Sequence, residues 1–568
     1  MSSSGVGSRV LPLVKKGAKA SSASEARRHN IMVGWFLAEV LKSVFGPRGM
    51  DKLIIDPVQK VSVSNEGATV LWDVSVEHPV GKLLVGAAKA QRAEVGDGAT
   101  SVVLLAGALL KEALKLVDDK VHPTIIASGY MKAKRKALAV LDDIAIPVGR
   151  KDKERLRQVA LAAVRTKCGL TGDEALADCA LNAVQSVMEP RGREIFVDDS
   201  RVQIFKRAGG SLADTQLIRG VIVDPINKEL PHPSLPSRVD NARIAVVRFP
   251  FKLDFKREKF QFRIKSLGVR EAMNQERKAI LTRMVDKLFE AKASVVLTQR
   301  MDMDPYLVPM FAKNKIMAVK RIRPSDIDRL TWATGARCVT LPEELKENDL
   351  GYARVVEERK VGDDSLLFAE GCKDPKAVAI LIRGGLDKTM DEAERAVKNA
   401  MGALKNALLD SRGVAAGGAA EMEISSRMKR SRPKMSGREL LAYEAYAKAL
   451  EFIPATLIRN AGKNPLDVLA ELRVAHSRRN GVSVGFEAHG RRVEDMVEAG
   501  IIEALLVKKR VIAAATEVAV AILKIGDIII AKKTGQLADA LKEKKWEEEA
   551  REAREEGRPH AKPFKIPG

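Results

Sequence analysis

Residues 96–117 read GDGATSVVLLAGALLKEALKLV, a glycine-bracketed acidic turn that runs straight into a long apolar stretch. Every position from Val102 to Leu110 is apolar or glycine, and Lys111 and Glu112 then cut the run. A stretch apolar on all sides predicts a helix buried on every face, and one cut by charge after roughly ten residues is too short for a bilayer span, which needs about twenty. The turn itself, Gly96-Asp97-Gly98-Ala99-Thr100-Ser101, places glycines and hydroxyls at a helix start. Helix starts carry unpaired N–H groups and the positive end of the dipole, and glycine lets a phosphate approach the backbone closely. Asp97 adds a hard oxygen ligand suited to Mg2+ bridging phosphates.

Two other glycine turns stand beside helix starts: Gly46-Pro47-Arg48-Gly49 and Gly417-Gly418-Ala419-Ala420-Glu421. Upstream of the first, Val33, Leu37, Val40, Leu41 and Val44 recur at helical spacing and predict a helix over 27–45 that Gly46-Pro47 ends. Val61-Ser62-Val63-Ser64 predicts a strand, Asn65-Glu66-Gly67 a turn, and a second helical stretch starts at Ala68. Further on, Ile244 to Phe249, Ser294 to Thr298, Ile316 to Val319 and Val378 to Ile382 are short β-branched runs between amphipathic helices, an α/β pattern. Residues 437–533 read mostly as helix, and 537–568 as a mixed-charge tail. Glycine turns are common helix punctuation, so each one alone says little. The chain has no GxxxxGK[ST], GxGxxG or HExxH, so P-loop, Rossmann and zincin chemistry have no motif to stand on.

Composition narrows the class. The 568 residues hold 97 Lys+Arg against 74 Asp+Glu, a formal charge of +23, with 46% hydrophobic residues. That is a core-forming chain long enough for about three or four domains. Aromatic residues are only 4%, which leaves few stacking platforms for single-stranded nucleic acid. Cys168, Cys179, Cys338 and Cys372 form no CxxC pair, which argues against a zinc site or a disulfide framework and leaves a reducing cytoplasm as the expected location. The first residues, rich in Ser, Gly and Lys, lack a secretory apolar region, and no partner in a membrane is expected.

The glycine turns gain weight from their company. Gly46-Pro47-Arg48-Gly49-Met50-Asp51-Lys52, Ser64-Asn65-Glu66-Gly67-Ala68-Thr69-Val70-Leu71 and Gly96 to Ser101, in that order and spacing, resemble the nucleotide-binding motifs of group II chaperonins, the archaeal thermosome and eukaryotic cytosolic chaperonin family. Residues 206–224, 349–360, 380–384, 436–439 and 493–508 resemble family segments at family positions, so the likeness covers nearly all of the chain from about residue 10 to 533. The implied fold is a multidomain α/β and all-α chaperonin: a helical equatorial domain (1–148 and 405–536), a small α/β intermediate domain (149–216 and 372–404), an α/β apical domain with a helical protrusion (217–371), and the tail. The implied function is that of an ATP-dependent chaperone subunit that encloses unfolded proteins in a double ring with paralogous subunits.

Carried over position by position, the resemblance makes Gly46, Pro47, Gly67, Gly98, Ala99, Thr100 and Ser101 nucleotide contacts and Asp97 the Mg2+ ligand. It lays Gly417 and Gly418 against the ribose and base, with Glu503 touching the nucleoside. The departures bear on chemistry. Family members carry Asp at Glu66, where it orders metal and attacking water, and Asp at Asn399, where it activates that water. An amide cannot take the proton a general base must accept. Ala99 replaces a hydroxyl residue, Ala416 the first glycine of a triplet, and Ala504 a proline. Lys167 lies near a family loop that senses nucleotide.

The segment from Arg248 to Lys287 holds twelve Lys/Arg against five Asp/Glu, interleaved with Phe249, Phe251, Phe255, Phe260 and Phe262. Phe255, Phe260 and Phe262 are the expected client contacts, with lid and core packing as the competing reading. Two other functions stay open: a ring-forming, ATP-binding subunit that hydrolyses poorly, favoured by Glu66 and Asn399, and a chaperonin-fold binder of nucleic acid or acidic proteins, which rests only on the +23 charge. The basic run Lys429 to Lys434 reads as a polar loop between helices.

Overall fold

The computed structural model describes residues 23–55, 61–64, 66–73, 76, 78–165, 172–191, 194–224, 232–252, 267–299, 303–362, 364–373, 375–431, 433, 435–478 and 480–526. At its centre the helix Ala99–Asp118 is buried on all sides, with Val102 through Leu110 at 2% exposure or less. Four helices pack around it: Ala23–Lys42, Pro79–Val95, Gly437–Leu450 and Leu505–Leu523. Their closest crossing depends on missing side chains. A Cβ on Gly107 would lie 2.3 Å from Cβ of Ala38 and 3.2 Å from the carbonyl oxygen of Gly34. The two backbones therefore meet directly, which deepens the contact that a larger residue would hold apart.

The same core continues into the helices Lys153–Arg165, Asp173–Val187 and Asp387–Asp410. Beside them lies a three-stranded sheet in the order Val202–Ala208, Val378–Gly384, Gln216–Ile218. Its two-residue alternation decides what it joins. Val378, Ile380 and Ile382 face the helical core, whereas Ala379 and Leu381 face a separate cluster with Phe205, Ile222, Leu366 and Phe368. The run at Val378 to Ile382 thus belongs to this small sheet and not to the larger one formed by its predicted companions, because its neighbours in space are residues 202–208 and 216–218.

The larger sheet has seven strands, with Met317–Val319, Val295–Thr298 and Cys338–Val339 joined in parallel to one another or to Arg238–Val247, and Gly351–Val361, Asp364–Glu370 and Gly220–Val223 added antiparallel. Ile244 and Val246 point to one face, under the helix Pro324–Thr334, while Ala245 and Val247 point to the other, under Leu267–Glu290. Both faces are covered, which is why the sequence shows continuous β-branched runs there.

The C-terminal third is mostly helix, as read, with short strands added. Between helices Pro465–Ser477 and Leu505–Leu523 lie a hairpin, Val484–Glu487 with Arg492–Asp495, and a short strand, Ile502–Ala504. These strands have four, four and three residues, too short for a periodic signal. Among the described residues no helix is long and apolar enough to cross a membrane.

Replacing Gly107 by Leu should force the crossing apart and destabilise the helical unit by about 1–3 kcal/mol. A thermal midpoint unchanged from the parent protein would show that the crossing relaxes without cost.

Candidate functional site

The helix Pro79–Val95 ends at Gly96, whose φ of +74° turns the chain and whose N–H donates to the Arg92 carbonyl at 2.9 Å. Gly98, φ +81°, then starts the helix Ala99–Asp118 without any side-chain cap. The first N–H groups of that helix have no intrahelical acceptor, and Ala99, Thr100 and Ser101 line a deep cavity. The loop is fixed from behind. Gln91 donates from Nε2 to the Asp97 carbonyl at 3.0 Å, and Asn406 donates from Nδ2 to the Val95 carbonyl at 2.6 Å. A Cβ on Gly402 would lie only 3.2 Å from Cα of Gly96, so the helix Asp387–Asp410 presses on the loop backbone to backbone.

The other two glycine turns close on the same space. Gly46 and Pro47 line the cavity from the end of the first helix, in a turn fastened by Asn460, which donates to the Lys42 and Phe45 carbonyls at 2.8 Å each. Gly417 and Gly418, φ +60° and +80°, start the helix Ala419–Arg430, again without a side-chain cap. Phe486 donates its N–H to the Gly417 carbonyl at 2.9 Å, so the unpredicted hairpin supplies a wall of the cavity through Phe486, Ala488 and His489. Glu66, Asp97, Asn399 and Glu503 face the same cavity. Gly67 does not line it. It is buried behind Thr100, whose Oγ1 would lie 2.5 Å from an added Cβ, so its smallness lets the chain at Glu66 and Gly67 seat on the helix start.

Charge is divided between two groups. In one, Lys508 is 9% exposed and pairs with Glu421 at 2.6 Å and Glu503 at 3.1 Å. Burial works against its ammonium, but the two carboxylates outweigh that and hold its pKa above the ordinary lysine range. Burial lifts the Glu503 carboxyl, with Glu421 and Asp97 adding repulsion that Lys508 only partly offsets. Elsewhere along the cavity Glu66 Oε1 forms an ion pair with Arg92 Nη1 at 2.8 Å, and its Oε2 accepts from the Thr69 hydroxyl at 2.8 Å. Arg92 and Lys508 escape sequence reasoning because each is an ordinary cation on a helix. Their one signal is position: Arg92 stands five residues before Asp97 and Lys508 five after Glu503.

The residues suit a nucleotide with Mg2+. Two uncapped helix starts offer N–H groups to phosphates, and Val507, Val511, Ile453 and Leu457 give an apolar side for a base. No cluster of three or more metal-ligating side chains exists among the described residues, so Asp97 would be the protein's carboxylate in a shell completed by phosphate oxygens and water, as Mg2+ accepts.

A family model described as the TCP-1/cpn60 chaperonin family matches residues 37–533. The chain belongs to the TCP-1/cpn60 chaperonin family. This chaperonin is 41% identical over 517 residues to a thermosome subunit beta of Aeropyrum pernix, covering 91% of this chain and 94% of the relative. It is 42% identical to a thermosome subunit beta of Saccharolobus solfataricus, over 95% and 97% of the two chains. A thermosome subunit of Methanopyrus kandleri is 42% identical over 93% and 96%. The chaperonin is of group II, and its function is that of a chaperone subunit in protein folding. Phe255, Phe260, Phe262 and Lys167 lie outside the described residues. Within the basic run, Lys429 pairs with Glu451 and Arg430 lies 3.8 Å from Glu423, contacts that suit a packed helix end.

Lys508→Met should cost about 3–5 kcal/mol, since it leaves Glu421 and Glu503 without their cation. Carboxyl pKa values in the folded variant would then lie above the unfolded value of about 4.3. A raised folded pKa contributes stability below the unfolded pKa and loses it as pH rises. The deficit against the parent should therefore be largest near neutrality and shrink below about pH 4.3. Urea denaturation at several pH values checks it, and a deficit independent of pH would show that packing, not charge, is lost.

Proposed function

We propose that the chaperonin binds ATP with Mg2+ in this cavity and uses it to drive closure over non-native protein, while hydrolysing it slowly. The observation that carries the reading is the meeting of three separate glycine turns, two of them uncapped helix starts, around Asp97. Bound ATP with its metal would supply a transferable phosphoryl group and a compact charge at the loop. The amides of 99–101 hold phosphate, Asp97 holds metal, and Glu503 lies where a ribose hydroxyl can donate to it. The cavity is bounded both by helices of the 405–536 segment and by Lys153–Arg165 and Asp387–Asp410, which we assign to the hinge between the equatorial and apical parts. Ligand that binds better when those elements close would shift the population toward the enclosed state.

Slow hydrolysis is supported by two residues. Asn399 has the shape of a carboxylate without its basicity, so water can be oriented but not deprotonated. Glu66 keeps its charge, yet its added methylene moves the carboxylate by roughly a bond length from where Asp would hold it. We place the subunit in the cytoplasm, in a double ring whose paralogous partners supply the faster turnover, with unfolded proteins as clients captured at Phe255, Phe260 and Phe262. Nucleic acid is the lesser alternative and has only the net charge in its favour.

Asp97→Ala should lower Mg2+-dependent ATP affinity at least about tenfold by calorimetry. Unchanged affinity removes the loop from the site. The double change Glu66→Asp with Asn399→Asp should raise single-turnover hydrolysis by about 10²-fold or more with little effect on affinity. Fast hydrolysis by the unmodified chain that the double change does not improve would sink the slow-hydrolysis reading.

A further inference from the structure

Among the described residues the cations lining the cavity include Arg92, Arg165 and Lys508. Lys508 is held at the Glu503 end by two carboxylates. Arg92 is placed differently. It stands in the last turn before the Asp97 loop, its carbonyl caps Gly96, and its guanidinium reaches across to Glu66. The pair is largely removed from water, with the Glu66 side chain 6% and the Arg92 side chain 26% exposed. Glu66 and Asp97 both face the cavity, so without the arginine an anionic ligand would meet two uncompensated carboxylates in a cleft of low dielectric, where like-charge repulsion is strong. With it, one of those two charges is already neutralised by the protein.

We propose that Arg92 is a phosphate-binding arginine that exchanges the Glu66 carboxylate for the terminal phosphate of a bound nucleotide. The inference rests on the nucleotide reading above. A guanidinium presents its donors in a planar fork that matches phosphate as well as it matches carboxylate. Arg92 and Glu66 both line the cavity, so the exchange would need a rotation of the arginine side chain and no movement of the helix. Two consequences follow. Part of the countercharge that a metal would provide comes from the protein, so ATP should still bind when the metal is removed. Binding should also release Glu66 toward the phosphate end, which makes its carboxylate available only in the loaded state.

The test is calorimetric titration of the full chain with ATP and with adenosine, in Mg2+ and in EDTA. The parent protein should retain measurable ATP binding in EDTA. Arg92→Gln should weaken that metal-free binding about 10- to 100-fold and leave adenosine affinity unchanged. Arg92→Lys, which keeps the charge but not the fork, should fall between the two. Glu66→Gln should strengthen metal-free ATP binding, because the competing carboxylate has gone; this variant keeps the proposal exposed even if the arginine variants fold poorly. Equal metal-free affinity of Arg92→Gln and the parent would overturn the proposal and leave Arg92 a structural partner of Glu66. So would ATP binding by the parent that persists in Mg2+ and vanishes in EDTA, an outcome that leaves the nucleotide site itself standing. Binding of neither ATP nor adenosine under any condition would sink the site and the proposal together.

Discussion

The backbones of Gly96 and Gly402 meet with no side chain between them, each so near that a Cβ on one would lie 3.1–3.2 Å from Cα of the other. That approach holds the Asp97 loop against the helix Asp387–Asp410, and the rest of the site is built on it. The loop's shape comes from two left-handed glycines, Gly96 and Gly98, that no L side chain tolerates well. Its position comes from Gln91 and Asn406, which bond its carbonyls from either side. Because Asn399 sits seven residues before Asn406 on that same helix, Asn399 and the Asp97 loop belong to one packed unit. A shift of the helix would move both.

Electrostatics divides this unit into two halves with different duties. Lys508, Glu421 and Glu503 make a compact network at the nucleoside end, where burial alone would discharge the lysine but the flanking carboxylates keep it ionised. Such a network costs much to break and contributes little to net stability, so its value lies in fixing the orientation of Glu503. Glu66 and Arg92 form a second charged group on the cavity wall, largely removed from water.

Chaperone work needs binding energy to be converted into a change of conformation, and hydrolysis matters for resetting the cycle. On the proposed reading, the departures at Glu66 and Asn399 would touch resetting and spare binding. The amide cradle, Asp97 and the two positive-φ glycines at 417 and 418 are all in place, and each belongs to an element separate from the substituted positions except Asn399 itself. A subunit of this kind can remain a full structural member of a ring while turning over slowly.

Much was legible from residues alone, for physical reasons that differ by element. The central helix declared itself because every face of Val102 to Leu110 is apolar, and the strands of the large sheet because both its faces are covered. The glycine turns were visible because positive φ leaves few alternatives to glycine. Family resemblance then joined turns that composition could not. The hairpin at 484–495 was not legible, since four-residue strands carry no period, and neither was the membership of Val378 to Ile382 in the smaller sheet, which depends on distant partners. Arg92 shows the boundary most clearly. Its sequence context is that of any helix-end cation, and only the fold brings Glu66, twenty-six residues earlier, to within 2.8 Å of it. Sequence determined which residue types could bind phosphate and metal, because those needs are local; tertiary structure decided which charges face one another across the cavity, because that depends on contacts between elements far apart in the chain.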